Sequence, residues 1–235
     1  MLRSLMFASL ALLVVTSLAS AEEKLNTPPE GYTALFNGKD LTNWKGLLKG
    51  PYDNPAKRAT LSADELAKLQ AEADENMRQN WSVKDGILVF SGKGRSLATA
   101  KDYGDFELYC DWKIEKHGDS GLYLRGTPQV QIWDPDLGGQ NNVGSGGLFN
   151  NQKNPKDPSK KADKPIGEWN TFHIKMVGDK VTVKLNGETV VDNVTLENYW
   201  ERDKPLYATG QIELQNHGNT LYFRNIYIKE LPRKE

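Results

Sequence analysis

The sequence predicts an all-β fold, a two-sheet antiparallel sandwich or jelly roll with one inserted helix. Short segments alternate apolar and polar residues at the strand period, and turn-forming pairs such as Asp85-Gly86 and Asn186-Gly187 separate them. The absence of a βαβ pattern disfavours a parallel sheet. A chain of 235 residues suits one such domain, which we assign to residues 31–232 after a linker at residues 22–30.

The N-terminus has the pattern of a secretory signal peptide. Arg3 supplies the positive end, Leu5–Leu18 the apolar stretch and Ala19-Ser20-Ala21 a small-residue cleavage site. This stretch is shorter than the about 20 apolar residues that a membrane span needs. Glu22 stands where a bacterial lipoprotein needs a cysteine. We therefore predict cleavage after Ala21 and export to the periplasm or the medium, with no membrane association afterwards.

Composition narrows the range of partners. A formal net charge of −1 provides no global basic field, so we expect no nucleic acid as a partner. Cys110 is the only cysteine, which excludes an intramolecular disulfide. Because Cys110 is in phase with Phe106, Leu108 and Trp112, the sequence predicts a buried apolar side chain rather than a nucleophile.

The first elements along the chain are a strand and turn over Tyr32–Trp44 and a helical insertion at about residues 50–80. Ser62 and Glu65 have the spacing of a capping box at the start of a helix. Apolar residues then recur on one helix face, namely Leu66, Leu69, Ala73 and Met77. The charged residues of the insertion are predicted to form a solvated outer face.

Short strands follow to the end of the domain. They are predicted at Trp81–Val83, Ile87–Phe90, Phe106–Ile114, Gly121–Arg125, Gln129–Trp133, Phe172–Val177, Lys180–Leu185, Thr189–Val191, Gln211–Gln215 and Leu221–Lys229. A long loop at residues 138–167 is rich in Gly, Asn, Lys and Pro. Loops of this length are often functional, so it is predicted to be either a lid over the sheet or a solvated connection.

Three strands carry a polar face of unusual chemistry. Successive strand side chains point to opposite faces, so each strand has one apolar face and one polar face. An ordinary solvated face would consist of Lys, Glu, Thr and Ser, whereas these faces have residue types that hold hydroxyl-rich ligands. The polar positions are Tyr123, Arg125, Gln129, Gln131, Trp133, Gln211, Glu213, Gln215 and His217. The pattern predicts a sugar-binding sheet.

Several blocks of the chain resemble one known family. The blocks are Phe36–Trp44, Tyr103–Leu108, Ser120–Arg125, Gly167–Thr171, Leu185–Gly187, Gln215–Gly218 and Phe223–Ile226. In this order they resemble the 3-keto-disaccharide hydrolase family, also described as 3-keto-glucoside 1,2-lyase / 3-keto-2-hydroxy-glucal hydratase. The resemblance spans Gly31 to Pro232. It implies a concanavalin-like jelly roll whose site is on the concave sheet, and an enzyme that acts on 3-keto-glucosides. Gln129 stands where the family pattern has an acidic residue.

The residue types favour elimination over direct glycoside hydrolysis. A glycosidase needs two carboxyl groups about 5 Å apart if it is retaining, and about 6.5–9.5 Å apart if it is inverting. Gln129 and Gln131 are amides and cannot transfer protons. A 3-keto sugar has an acidic C2 hydrogen, so one general base and a donor to the enolate suffice for β-elimination and subsequent hydration.

The expected base is His217 or Glu213, and Arg125 is the expected donor to the enolate. Each has a structural alternative: His217 as a turn residue, Glu213 as the partner of Arg125 or Lys113, and Arg125 in a structural salt bridge. Substrate-binding roles are expected for Asp111, Lys113, Tyr123, Gln129, Gln131, Trp133 and Gln215.

No cofactor or dedicated metal site is predicted, because the three histidines are not closely paired. Asp134, which precedes Pro135, either caps a turn or binds a divalent ion beside the site. The alternative function is a non-catalytic carbohydrate-binding module, since amides bind sugars without cleaving them.

Overall fold

The computed structural model describes residues 24–232, so the predicted signal peptide lies outside the described residues. In chain order the elements are β1 (Thr33–Ala34), β2 (Trp44–Gly46), α1 (Pro55–Arg58), α2 (Ala63–Asn80), β3 (Trp81–Lys84), β4 (Ile87–Ser91), β5 (Leu97–Thr99), β6 (Phe106–Ile114), β7 (Asp119–Leu124), β8 (Thr127–Trp133), a 3-10 helix (Gly139–Val143), β9 (Asn170–Val177), β10 (Lys180–Leu185), β11 (Glu188–Thr195), β12 (Glu213–Leu214) and β13 (Thr220–Glu230).

The strands form two antiparallel sheets. The first sheet has the order β11-β10-β9-β6-β13-β4-β3, with β1 paired to β13, and the second has the order β2-β5-β12-β7-β8. Neighbours in each sheet are mostly distant in sequence, as in a jelly roll. The all-β jelly-roll sandwich predicted from the sequence is therefore confirmed.

The core lies between the two sheets and is built from the apolar half of each alternating strand. Phe106, Leu108 and Cys110 of β6 point into it, and Leu122 and Leu214 come from the second sheet. Cys110 is fully buried, as predicted, and burial raises the pKa of its thiol well above the usual value. The polar half of each strand consequently points away from the core on the outside of its sheet.

The turns confirm two sequence signals. Asp85-Gly86 joins β3 to β4, and Asn186-Gly187 joins β10 to β11. Both residues of each pair have positive φ, at 52° and 74° in the first and 53° and 86° in the second. Positive φ at both central positions defines the type I′ turn, whose twist matches that of the strands it connects.

The helical insertion contains two helices rather than the single one predicted. Ser62 and Glu65 form the expected capping box at the start of α2, and Ala73 and Met77 are buried. The helix is anchored on the edge strand β2, where the Gly46 N–H donates to Asp74 Oδ1 at 3.0 Å. A Cβ atom at Gly46 would overlap the backbone carbonyl of Ala73. Only glycine permits this close approach.

The long loop at residues 138–167 packs along the edge strand β8 and covers Trp133. Its middle runs beside β8, where the Gln131 N–H donates to Gly147 O at 2.9 Å and the Gly146 N–H to Gln131 O at 2.8 Å. Farther along, the Ser159 N–H donates to Val190 O at 2.8 Å. The loop leads along the chain from β8 to β9, and its hydrogen bonds link β8 of the second sheet to β11 of the first.

The described part of the predicted linker, residues 24–30, is attached to the sandwich. Asn26 and Asn225 exchange two hydrogen bonds of 2.8 Å, and Asn26 Nδ2 donates to Gly86 O at 2.7 Å. These bonds tie the segment to the first sheet, so it is part of the fold. Of the helices within residues 24–232, none combines the length and the apolar character needed to cross a membrane.

Replacement of Gly46 by alanine tests the packing of α2 on β2. Because the new methyl group would overlap the Ala73 backbone, we expect Gly46→Ala to lower the free energy of unfolding by about 2 kcal/mol, measured by urea denaturation. Gly104→Ala is the control, since the nearest atom to its Cβ would be at an ordinary 3.7 Å. Equal stability of the two variants would contradict the close approach.

Candidate active site

A straight row of residues crosses the outer face of the second sheet. Strand register pairs Lys45 with Ala98, Ala98 with Glu213, Glu213 with Tyr123, and Tyr123 with Gln129. Paired residues in an antiparallel sheet point to the same face, so all five side chains lie on the outer side. The row brings one residue from each of the five strands to the same level of the sheet.

Glu213 is at the centre of this row and is almost completely buried. Its side chain is 2 % exposed, and Oε1 has no hydrogen-bond partner among the described residues. Burial raises the pKa of Glu213 to about 8, opposed by the positive charges of Arg58 and Lys45 and assisted by Asp53. The carboxyl group can therefore exchange a proton near neutral pH, as a general acid or base requires.

Amide side chains surround Glu213 on the same face. Gln129 Nε2 donates to Gln131 Oε1 at 2.5 Å, and Gln131 Nε2 donates to Asp119 Oδ1 at 2.8 Å. Gln215 Nε2 donates to the Tyr123 hydroxyl at 3.4 Å. This places Tyr123, Gln129, Gln131 and Gln215 together, as the sequence predicted.

Three glutamine side-chain oxygens on this face are buried without a hydrogen-bond partner in the part of the chain described. They are Oε1 of Gln129, Gln211 and Gln215, and Glu213 Oε1 is the fourth such oxygen on this face. An unsatisfied buried acceptor costs about 1–3 kcal/mol, so four on one face of one sheet require an explanation. Acceptors grouped on one face of one sheet suit a ligand that carries several hydroxyl groups.

The helical insertion covers part of this face and borders an open cavity of about 610 Å³, which lies beside Glu213 but is not lined by it. Lys45 and Gln211 contribute from the sheet, and Arg58 from the end of α1. The α2 side of the cavity consists of a helical stripe of Ala63, Leu66, Ala67 and Gln70. The charges of the insertion were predicted to be solvated, whereas Arg58 lies over the sheet and interacts with Glu213.

Arg125 does not join this group, so its expected place on the polar face, as donor to the enolate, is wrong. It occupies a two-residue turn with Gly126 between β7 and β8, where both residues have positive φ. The alternation of β7 ends at Leu124. The guanidinium binds Asp105 Oδ1 at 2.6 Å and the carbonyl oxygens of Gly104, Gly178 and Tyr207. The structural salt bridge considered as an alternative is the arrangement observed.

Asp111 and Lys113 also lie elsewhere, on the outer face of the first sheet at the opposite side of the sandwich. Asp111 accepts hydrogen bonds from Arg224, Asn225 and Thr171. The Lys113 ammonium packs over the rings of Trp169 and Tyr222, at 5.2 and 4.5 Å from their centres. The expected role of Asp111 and Lys113 in binding substrate at the polar sheet is therefore incorrect.

Trp133 and His217 lie toward one end of the polar face. The Trp133 indole is buried beneath the loop, donates to Gly144 O at 2.8 Å and packs edge-on against Phe149, so its ring is not available for stacking on a sugar. His217 is exposed, and its Nδ1 lies 3.7 Å from Asp119 Oδ2. It sits at the rim, away from the buried carboxyl at the centre.

Asp134 caps a turn, one of the two roles that the sequence left open. Its carboxylate accepts the backbone N–H groups of His117 at 2.8 Å and Asp136 at 2.9 Å. Within residues 24–232, no cluster of three or more His, Cys, Asp and Glu residues has the arrangement of a metal site.

The sandwich, the amide-rich face and the adjoining cavity define a jelly-roll protein with a site suited to hydroxylated ligands. The chain belongs to the family of the 3-keto-alpha-glucoside-1,2-lyase-like domain, whose model matches residues 31–229. It is 26 % identical to a 3-keto-disaccharide hydrolase of Bacteroides thetaiotaomicron, over 92 % of this chain and 84 % of that protein.

Two crystal structures from Parabacteroides distasonis, each described as a "putative glycosyl hydrolase", are similar in fold. One has a TM-score of 0.65 and 26 % identity and covers 89 % of this chain and 100 % of its own. The other has a TM-score of 0.65 and 25 % identity and covers 96 % of this chain and 94 % of its own. The family resemblance stated from the sequence is confirmed by these matches.

The buried carboxyl should lower stability as the pH rises. Because the pKa of Glu213 is about 8 in the folded protein and near the ordinary carboxyl value when unfolded, only the folded state holds the proton between these pH values. Stability is thus lost from about pH 4.5 through about pH 8. We expect Glu213→Gln to melt at a higher temperature than wild type at about pH 8.5 and to lose this advantage at about pH 4.5.

Thermal melting followed by circular dichroism at both pH values is the measurement. The exposed residue Glu168 provides the matched control, because Glu168→Gln removes a carboxyl at the surface. A pH-independent difference between Glu213→Gln and wild type would show that the folded protein does not hold a proton on this group.

Proposed function

We propose that this protein is an exported enzyme that cleaves 3-keto-glucosides by β-elimination and hydration on the outer face of the second sheet. The observation that carries the proposal is a buried carboxyl, Glu213, at the centre of a face of unpartnered amide oxygens. Membership of the family and the relative named 3-keto-disaccharide hydrolase support the substrate class. The sequence of the N-terminus supports export.

The elimination begins with removal of the C2 proton, which the adjacent C3 carbonyl makes acidic. The Glu213 carboxylate takes this proton, and the negative charge moves onto the C3 oxygen as an enolate. Arg58 lies beside Glu213, and its positive charge stabilises the enolate. The sequence alone had assigned this role to Arg125. The enolate electrons then form the C1=C2 double bond as the C1–O bond breaks and the leaving oxygen takes its electron pair.

Hydration completes the net hydrolysis. Water adds to C1 of the enone, C2 recovers a proton and the product is the free 3-keto sugar. The water oxygen forms the new C1–O bond, so atoms and charges balance over the two steps. These steps use only side chains of the chain, so we propose that no cofactor is required. Loss of activity on dialysis against EDTA would contradict this.

The substrate is held by the polar groups around Glu213. Gln129, Gln215 and the Tyr123 hydroxyl supply acceptors and donors for the sugar hydroxyls. Gln131 orients Gln129, because its own amide is satisfied by Gln129, Asp119 and two backbone carbonyls. We assign the base to Glu213 rather than His217, because Glu213 is buried and burial raises its pKa into the working range, whereas His217 is exposed. His217, exposed at the rim, is assigned to substrate entry.

A direct glycosidase remains less suitable on geometric grounds. The described strands of this face carry one other carboxylate, Asp119, and it lies four residues along β7 from Tyr123, the partner of Glu213. At about 3.3 Å per residue this separation is about 13 Å along the strand, beyond the range of about 5–9.5 Å for paired glycosidase carboxyls.

A non-catalytic carbohydrate-binding module is the second candidate function. It is favoured by the amides Gln129 and Gln131, which bind hydroxyl groups but transfer no protons. Calorimetry with unoxidised glucosides distinguishes the two functions. Tight binding of these sugars, together with no turnover of their 3-keto forms, would support the module and reject the enzyme.

Removal of the base should abolish most of the activity. General base catalysis typically contributes about 10²–10⁴-fold, so we expect Glu213→Gln to lower kcat by this factor with a smaller change in KM. Release of the aglycone from a 3-keto-glucoside is the measurement. Glu168→Gln should retain wild-type activity, and His217→Ala should stay within about tenfold of it. Full activity of Glu213→Gln would remove the mechanism.

The activity of the wild-type enzyme should rise with pH. A general base acts in its deprotonated form, so kcat/KM should increase about tenfold per pH unit below the pKa and level off above about pH 8. The rising limb should be absent from the residual activity of Glu213→Gln. A profile that falls through the same pH range would instead make Glu213 a general acid.

A further inference from the structure

We propose that Lys45 is a second catalytic residue, whose ammonium group protonates the leaving oxygen at C1. This inference rests on the function proposed above and deepens it, because it assigns the leaving-group side of the reaction. Lys45 was not among the candidates found from the sequence. Three features of the structure support the assignment: its register, its surroundings and its electrostatics.

Register places Lys45 next to Glu213 with only Ala98 between them. Neighbouring strands are about 4.8 Å apart, so the Cα atoms of Lys45 and Glu213 are separated by about 10 Å. Ala98 faces outward between them and is nevertheless completely buried. Its single methyl group leaves room for the longer side chains on either side to approach each other above it.

The surroundings of Lys45 suit a group that acts on a ligand. Its side chain lines the 610 Å³ cavity together with Arg58 and Gln211. Within residues 24–232 its ammonium makes no hydrogen bond and no ion pair closer than 4.0 Å. Gln211, 3 % exposed, borders the same cavity, and its Oε1 is buried with no hydrogen-bond partner among residues 24–232. An ammonium group and an amide side chain therefore border one space of ligand size.

The electrostatics make Lys45 a better proton donor than an ordinary lysine. Burial lowers the pKa of Lys45, and the neighbouring Arg58 guanidinium lowers it further, against the opposing effects of Asp102, Asp74 and Glu213. A lower pKa makes the ammonium a stronger acid, so it transfers its proton to a leaving oxygen more readily. Lys45 and Glu213 each influence the pKa of the other, as expected for groups that share one site.

The two residues account for every proton in both steps. In the elimination, Glu213 takes the proton from C2 while Lys45 gives one to the departing oxygen. In the hydration, the neutral Lys45 amine takes a proton from the water that attacks C1, and the Glu213 carboxylic acid returns one to C2. After one turnover both groups have their starting protonation.

This assignment also orients the substrate. The sugar lies over Glu213 and the amides, and the leaving group extends into the cavity past Lys45. There it meets the α2 stripe of Ala63, Leu66 and Ala67. These side chains are apolar, so the cavity favours an aglycone with an apolar surface over a second, fully hydroxylated sugar.

The test compares 3-keto-glucosides that differ only in the leaving group, with 4-nitrophenol as a good one and methanol as a poor one. A good leaving group departs without protonation. We therefore expect Lys45→Met to lose about 100-fold or more in kcat on the methyl glucoside and less than about tenfold on the nitrophenyl glucoside. Lys45→Arg should show the same pattern, because arginine keeps the charge but does not give up its proton.

Lys84→Met is the matched control, since Lys84 lies on β3 of the first sheet and is exposed. Equal losses on both substrates, or no loss, in folded Lys45→Met would overturn the role of Lys45 and leave the proposed function standing. Wild type that turns over neither substrate would instead overturn the proposed function. Wild type alone provides a further check: its rate should depend only weakly on leaving-group pKa, and a steep dependence would refute protonation by Lys45.

Discussion

The close packing of α2 against β2 at Gly46 is the contact on which the candidate site depends. It holds the helical insertion against the edge of the second sheet, and the insertion in turn brings Arg58 over Glu213 and forms one side of the cavity. The outer face of a jelly-roll sheet would otherwise be open to water, where a carboxyl keeps an ordinary pKa. Exclusion of water by the insertion converts a row of strand residues into a site with altered acid–base properties.

That conversion has a thermodynamic cost. Among residues 24–232, the buried carboxyl of Glu213 and three glutamines beside it have oxygens without a hydrogen-bond partner, which destabilises the folded chain. The core of apolar side chains between the sheets supplies the stability that offsets this cost. Local violations of the rules of polar satisfaction concentrate where ligands bind, and four of the seven such atoms in the described part of the chain lie on this face. On the outer face of the first sheet, the Asp111 carboxylate by contrast has three hydrogen-bond donors.

Strand alternation predicted which side chains avoid the core but not which sheet carries them. Asp111 and Glu213 both occupy polar positions of alternating strands, yet they lie on opposite sides of the sandwich because β6 and β12 belong to different sheets. Alternation also fails at turns. Arg125 follows Tyr123 by two residues, but positive φ in the turn redirects its side chain to Asp105. Lys45 lies on a strand of three residues, too short for its periodicity to be recognised.

Local pattern and ordered blocks of residues were enough to predict the sandwich, its type I′ turns, the capping box of α2, the burial of Cys110 and the family. The alternation of paired strands also placed Glu213, Tyr123, Gln129, Gln131 and Gln215 on one polar face. The three-dimensional packing was needed to show that Arg58 and Lys45 join this face while Arg125, Asp111 and Lys113 do not. The reason is physical: sheet order and the docking of an insertion are set by contacts between residues far apart in the chain, which no local pattern records.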